Sequence, residues 1–335
     1  MSSQLRICLY AIMTVCLFLM NVALAPDEAI AQKKPKYIIK FCSEGTLDVT
    51  WTSVGVKFGE ILEKLTDGEV KTETYPNGAL AAGGKAVDML RLGSIQMYVD
   101  GPGVFSNIFP YLSIFEMPYV YDDIDHANRV LDSKLSQDIF ENFRKASGIR
   151  VLGTLCYGFR ETTTKRPLRS LEDFKGLKIR VGPVPVSIAL WKALGANPTP
   201  IEWSELYTSL ATGVVDAQEN PMFVIEMARF YEVAKYLNLT SHQALNPVWV
   251  VNEAFFQTLP KDYQAKAVEA MRKAVLLGRE EVRGDDKKVI NSLKEKGMEI
   301  VRPDKDALKK ASGGVYKQFL NVFDERTYLD LRSIR

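Results

Sequence analysis

The sequence predicts an α/β fold organised as two lobes. Residues 37–99 alternate strand-like and helix-like patterns in the order β-α-β-α-β, which calls for a mostly parallel sheet covered by helices. Residues 126–218 repeat that alternation as a second block. The chain has 335 residues, and the 304 that remain beyond an N-terminal secretory segment favour two lobes over one core.

The first block opens with Tyr37-Ile38-Ile39-Lys40-Phe41, a strand-like run. Trp51, Val54, Phe58, Ile61, Leu62 and Leu65 follow at the three-four spacing of a one-sided helix. A strand is expected over 70–75, ending in the turn residues Pro76-Asn77-Gly78. A helix over 85–92 stops at Gly93, and 95–99 is a strand. In the second block the spacing predicts a helix over 126–146 and a strand over 150–156. Ser170-Leu171-Glu172-Asp173 starts a short capped turn before Gly176. Strands over 177–181 and 214–218 then bracket helices closed by Gly195 and Gly213. Residues 246–252 are expected as a further strand, 261–296 as a long helix able to reach across both lobes, and 305–323 as a last helix. The expected organisation is a secretory segment in 1–31, lobe I in 32–157 plus 246–285, and lobe II in 158–245 plus 286–335. No low-complexity linker separates the lobes, so the chain is expected to cross between them more than once.

Arg6, an apolar run over 7–25 and Ala29-Ile30-Ala31 have the layout of a cleavable signal peptide, which places the mature protein in the periplasm. A retained membrane anchor is the alternative, since the run approaches the length of a bilayer span. Cleavage after Ala31 removes one basic and two acidic residues and leaves a formal net charge of +3. That balance is too mild to indicate nucleic acid as a partner. The mature cysteines are Cys42 and Cys156, which supply no disulfide framework and no zinc spacing, and two buried thiols are favoured over a pair. His126 and His242 are the only histidines, too few for a multi-histidine metal site and awkward for a Ser-His-Asp triad. No cofactor is expected.

Arg160, Arg180 and Asn220 stand 20 and 40 residues apart, each near the end of an expected strand, where open α/β sheets place ligands. A guanidinium presents a planar fork of donors that fits a carboxylate bidentately, stays charged at any working pH, and cannot readily act as a base. These residue types therefore favour anion binding over proton transfer. Arg180 could alternatively serve a structural ion pair, and Arg160 could brace Glu219 or Glu161. Glu205 and Glu219 could be acids, but are read as partners that orient the arginines. Gly101-Pro102-Gly103 is read as a turn and not as a phosphate loop.

Several segments resemble the extracytoplasmic solute-binding proteins of tripartite ATP-independent periplasmic (TRAP) transporters, the DctP-like family. They are Gly158-Phe159-Arg160-Glu161-Thr162-Thr163, Gly176-Leu177-Lys178-Ile179-Arg180-Val181, Leu194-Gly195-Ala196-Asn197-Pro198, Ser204-Glu205-Leu206-Tyr207 and Val215-Asp216-Ala217-Gln218-Glu219-Asn220-Pro221. Tyr75-Pro76-Asn77-Gly78 and Met117-Pro118-Tyr119 also fit, so the resemblance covers essentially all of the mature chain. It implies a two-lobe clam-shell that closes over an organic acid without transforming it, and so not an enzyme. It also implies delivery of that acid to the small and large membrane subunits of a TRAP transporter. Arg180 matches the family's carboxylate-gripping arginine, and Arg160 and Asn220 match the residues that complete the pocket. Trp203 stands where an aromatic often lies against the ligand, and Ser43 and Asp100 match positions that supply polar contacts in some members. Ala217 replaces a glycine common in the family, and Ala82 with Gly83 replace acidic residues of sialic-acid binders, which disfavours that ligand. Two other functions share parts of this pattern: a ligand-binding input for a membrane sensor, and a secreted hydrolase that uses Glu205 or Glu219 as its acid.

Overall fold

In the computed structural model, which describes residues 34–282 and 286–335, the first strands are β1 (Tyr37–Cys42), β2 (Val70–Tyr75), β3 (Met97–Asp100) and β4 (Ile149–Thr154). There follow β5 (Arg160–Thr164), β6 (Lys178–Val181), β7 (Asn197–Pro200), β8 (Ala217–Pro221) and β9 (Tyr236–Asn238), then β10 (Val248–Asn252) and β11 (Glu299–Val301). The secretory segment read in residues 1–31 lies outside the described residues. One sheet has the order β2-β1-β3-β10-β4 and the other β11-β9-β5-β8-β6-β7. The chain thus leaves the first sheet after β4, returns at β10, and leaves again before β11, which is the repeated crossing that the missing linker implied.

The sheets are mixed and not mostly parallel. β10 runs antiparallel to both β3 and β4, and β5 runs antiparallel to both β8 and β9. These are the strands on which the chain arrives from the other sheet, so no helical crossover within one sheet fixes their direction. The two crossings next to them lie side by side. Tyr157 N–H donates to the Leu245 carbonyl at 2.7 Å, Leu245 N–H to Gly158 at 2.9 Å, and Arg160 N–H to Gln243 at 2.8 Å. Gly158 in this ribbon has φ +117°, a conformation that side-chain-bearing residues rarely adopt.

The helix Thr50–Leu65 buries Val54, Phe58 and Leu62, the stripe legible in its spacing. It packs against the helix Lys261–Val282, whose Ala267, Ala270, Met271 and Ala274 are buried in the same cluster. The tract expected as one helix over 261–296 is described as this helix and a second, Asp286–Glu295, with 283–285 outside the described residues. The first lies against the β1 to β4 sheet and the second against the helix Met222–Met227 and β11. The helix expected over 126–146 is two, Ile124–Asp132 and Lys134–Ser147. Ser133 leaves the helical conformation between them, and its hydroxyl accepts from Ser136 N–H at 3.2 Å, a cap that restarts the helix. The helix expected over 305–323 ends at Ser312, before Gly313-Gly314, and resumes only as a 3-10 turn, Val315–Phe319. A further helix, Glu325–Ser333, follows. Although this C-terminal stretch was expected with lobe II, Phe323, Tyr328 and Leu331 join the cluster of Phe105, Leu112 and Phe115. An amphipathic pattern states that a face is buried, and leaves open against which lobe. Cys42 and Cys156 are buried free thiols.

Candidate ligand-binding site

A cavity of about 290 Å³ lies where the ends of the two sheets meet. From the first sheet side come Glu44, Trp51, Asp100 and Glu116; from the second come Arg160, Arg180, Glu202, Trp203, Glu219 and Asn220; Gln243 to Leu245 of the crossing ribbon complete it.

Arg180 sits one residue before the end of β6 and is 5 % exposed. Its Nε donates to the Ile201 carbonyl at 2.7 Å, which fixes the plane of the fork. Among the described residues, no carboxylate forms an ion pair with it. Burial pushes its guanidinium down to about 10, against the pull of Glu219, so it remains charged at neutral pH.

Arg160, the first residue of β5, has a different setting. Its Nε is bonded to the Glu219 carboxylate, and its Nη2 donates to Glu219 Oε1 at 3.0 Å, to the Glu219 carbonyl at 3.0 Å and to Asn220 Oδ1 at 3.2 Å. His242 Nε2 lies 3.2 Å from the same carboxylate. Burial raises Glu219, but Arg160 and His242 outweigh it and hold the acid at about 2. Asn220 is engaged at both ends, since its Nδ2 donates to Gln218 Oε1 at 2.6 Å. Strand β8 is therefore built of buried polar residues that satisfy one another.

Asp100 ends β3, accepting from Gly101 N–H at 2.7 Å and from the Tyr98 hydroxyl at 2.6 Å. Glu44 Oε1 lies 2.8 Å from that same hydroxyl oxygen and accepts from Gly83 N–H at 2.6 Å. Burial and the nearby Glu44 charge push Asp100 well above the usual carboxylate range. Glu116 is raised by burial to about 7 despite the Gly103 N–H and Arg160, and its Oε2 has no hydrogen-bond partner. Gly101 and Gly103 make room for it: a Cβ on Gly103 would stand 2.1 Å from Glu116 Oε2. Gly101-Pro102-Gly103 thus opens a 3-10 turn, Pro102–Asn107, beside an acid.

Of the residues singled out in the sequence, the structure brings Arg160, Arg180, Asn220, Trp203 and Asp100 to this cavity. Trp203 lines it while also packing edge-on to Phe230, so its aromatic and core readings coexist. Ser43 does not line it. Its buried hydroxyl shares a 2.6 Å hydrogen bond with Thr52 Oγ1 and accepts from Gly45 N–H, and Glu44 beside it lines the cavity instead. Glu205 is exposed and outside the cavity wall, whereas Glu219 does orient an arginine. Glu44, Glu116, Glu202 and Gln243 went unread, and Trp51 was read only as part of a helix stripe. Glu116 alone left a signal, a lone acid inside the apolar run Ile114-Phe115-Glu116-Met117.

Two mixed α/β sheets joined by repeated crossings, with a polar cavity at their strand ends, define a two-lobe solute-binding protein. The model of the DctP family, bacterial extracellular solute-binding protein family 7, matches residues 43–322, and the chain belongs to that family. The chain is 33 % identical over 303 residues to the 2,3-diketo-L-gulonate-binding periplasmic protein YiaO of Escherichia coli K12, covering 90 % of each chain. A TRAP periplasmic solute-binding protein from Polaromonas sp. JS666 bound to D-erythronate superposes with a TM-score of 0.86 at 29 % identity, over 89 % of this chain and 99 % of that one. Another from Sulfurospirillum deleyianum, with bound succinate, gives 0.85 at 28 % identity over 90 % and 100 %. The protein is a TRAP-type solute-binding protein and not an enzyme.

Proposed function

We propose that this protein captures an organic acid in the periplasm, grips its carboxylate with Arg180, and delivers it to the small and large membrane subunits of a TRAP transporter. The observation that carries this reading is Arg180 itself: a buried guanidinium aimed at a cavity, oriented by a backbone carbonyl, with no carboxylate of the described chain to neutralise it. A carboxylate supplied by the ligand removes that deficit and adds a bidentate, charge-assisted contact. Each such hydrogen bond contributes about 1.5–3 kcal/mol, so one fork and a few polar contacts reach the roughly 8 kcal/mol of micromolar binding. Arg160 and Asn220 shape the floor through Glu219, and Trp203 supplies an apolar wall. The family relatives named above bind acids of this general kind, and no described helix is long and apolar enough to cross a membrane.

The hydrolase reading loses its acids. Glu205 is away from the cavity and Glu219 is tied to Arg160 and His242. Arg180→Ala should cost about 3–5 kcal/mol of binding by stranding the ligand carboxylate, and Arg180→Lys should also bind poorly because the fork is lost. Calorimetry with the ligand carried by the purified protein tests this; unchanged affinity in Arg180→Ala removes the residue from the site.

A further inference from the structure

We infer that the ligand is a polyhydroxylated monocarboxylate, with its single carboxylate on Arg180 and its hydroxyls along the wall of Glu44, Asp100, Glu116 and Glu202. This rests on the organic-acid reading above and narrows it to one chemical class.

The first ground is charge. Two guanidiniums reach the cavity, and Glu219 neutralises that of Arg160, which leaves Arg180 alone to meet a ligand anion. Against it the cavity carries Glu44, Asp100, Glu116 and Glu202, and none of these forms an ion pair among the described residues. A dicarboxylate gripped at one end by Arg180 would present its second carboxylate to acids. At close range in a partly buried site like charges repel, and among the described residues the cavity wall holds no second unpaired cation to offset it. The amides nearby do little to help, because Asn220 Nδ2 is bonded to Gln218 and Gln243 Nε2 to the Glu116 carbonyl.

The second ground is protons. The Tyr98 hydroxyl has one hydrogen, yet it lies within hydrogen-bond distance of both Glu44 Oε1 and Asp100 Oδ2. Only one of the two carboxyls can receive that hydrogen, so the short contact on the other side requires a carboxyl that carries its own. That second hydrogen is held in the Tyr98 contact, so one of the pair stays a neutral acid and the wall turns its remaining oxygens to the ligand as acceptors. A ligand hydroxyl donates to them without bringing a charge of its own. Glu116 Oε2 adds a buried acceptor without a partner.

Four compounds with a four-carbon backbone separate the possibilities: D-erythronate, succinate, L-threonine and erythritol. They are titrated calorimetrically into purified protein at pH 8, with L-galactonate as a longer hydroxylated acid. The expected result is that erythronate or galactonate binds at least about tenfold more tightly than succinate or threonine, the equivalent of about 1.4 kcal/mol. If succinate or threonine binds as tightly as the better aldonate, the inference fails while the organic-acid reading stands. Binding of erythritol alone, or of no acid at all, overturns both. Glu202→Gln, at an exposed helix start whose side chain caps nothing, and Asp100→Asn test the wall directly. Each should lower the aldonate-to-succinate affinity ratio by about fivefold or more. A ratio unchanged in both variants removes the hydroxyls from this wall.

Discussion

At the scale of single residues, the two arginines that look alike in sequence have opposite electrostatic settings. Arg160 is spent on Glu219, whereas Arg180 has no such partner. Glu219→Gln should therefore leave the Arg160 charge buried and destabilise the fold by about 3–5 kcal/mol, read as a lowered denaturation midpoint. The same pair fixes an acid limit. Because Glu219 is depressed from its ordinary 4.5 to about 2, its contribution is fully present above about 4.5 and is lost as pH falls through about 2. Glu116 has the reverse sign. Raised from 4.5 to about 7, it contributes stability that is full below about 4.5 and lost as pH rises through about 7. Glu116→Gln should flatten the fall in ligand-free stability across that window; an unaltered pH profile would remove Glu116 as a source of it. The arginines were legible because a fork of donors on strand ends suits an anion whatever surrounds it. The sequence left Glu219 and Glu161 as alternative braces for Arg160, and the choice of Glu219 rests on a contact between residues 59 apart that no local pattern displays.

At the scale of elements, strands and helices with apolar stripes were legible and the buried polar strands were displaced or missed. β8 was expected over 214–218 and runs Ala217–Pro221, because its Gln218, Glu219 and Asn220 are buried through hydrogen bonds and not through hydrophobicity. Helix breaks at Ser133 and Gly313-Gly314 were bridged in the sequence reading because apolar spacing continued across them. The contact of the Thr50–Leu65 and Lys261–Val282 helices rests on the absence of a side chain at Gly278, where a Cβ would stand 2.5 Å from Val54 Cγ2 and 3.0 Å from Leu155 Cδ2. Gly278→Ala should force these helices apart and cost about 1–3 kcal/mol, measurable by thermal unfolding, despite the better helix propensity of alanine.

At the scale of the molecule, we propose that the two lobes, which share the cavity and are joined by the ribbon and by later crossings of the chain, change their separation when a ligand binds. A ligand favours the closed arrangement only by its differential affinity for it. At a hundred times its dissociation constant, the acid should add about 2.7 kcal/mol of stability and reduce the radius of gyration in solution scattering. A scattering profile unchanged at saturation would rule out closure. The two-lobe plan was legible from length and alternation and the repeated crossings from the missing linker, whereas strand direction was not, since it depends on which sheet a strand arrives from. The ribbon itself carries a further consequence. Gln243 and Ala244 line the cavity, and the backbone of Arg160, whose side chain also reaches it, is hydrogen-bonded to Gln243 across the ribbon. In the closure proposed here, the floor of the cavity is also the joint on which the lobes turn. Occupancy should slow amide exchange at residues 157–160 and 242–245 more than in either sheet, and selection for a new substrate at these positions would alter the stiffness of the joint along with the shape of the site.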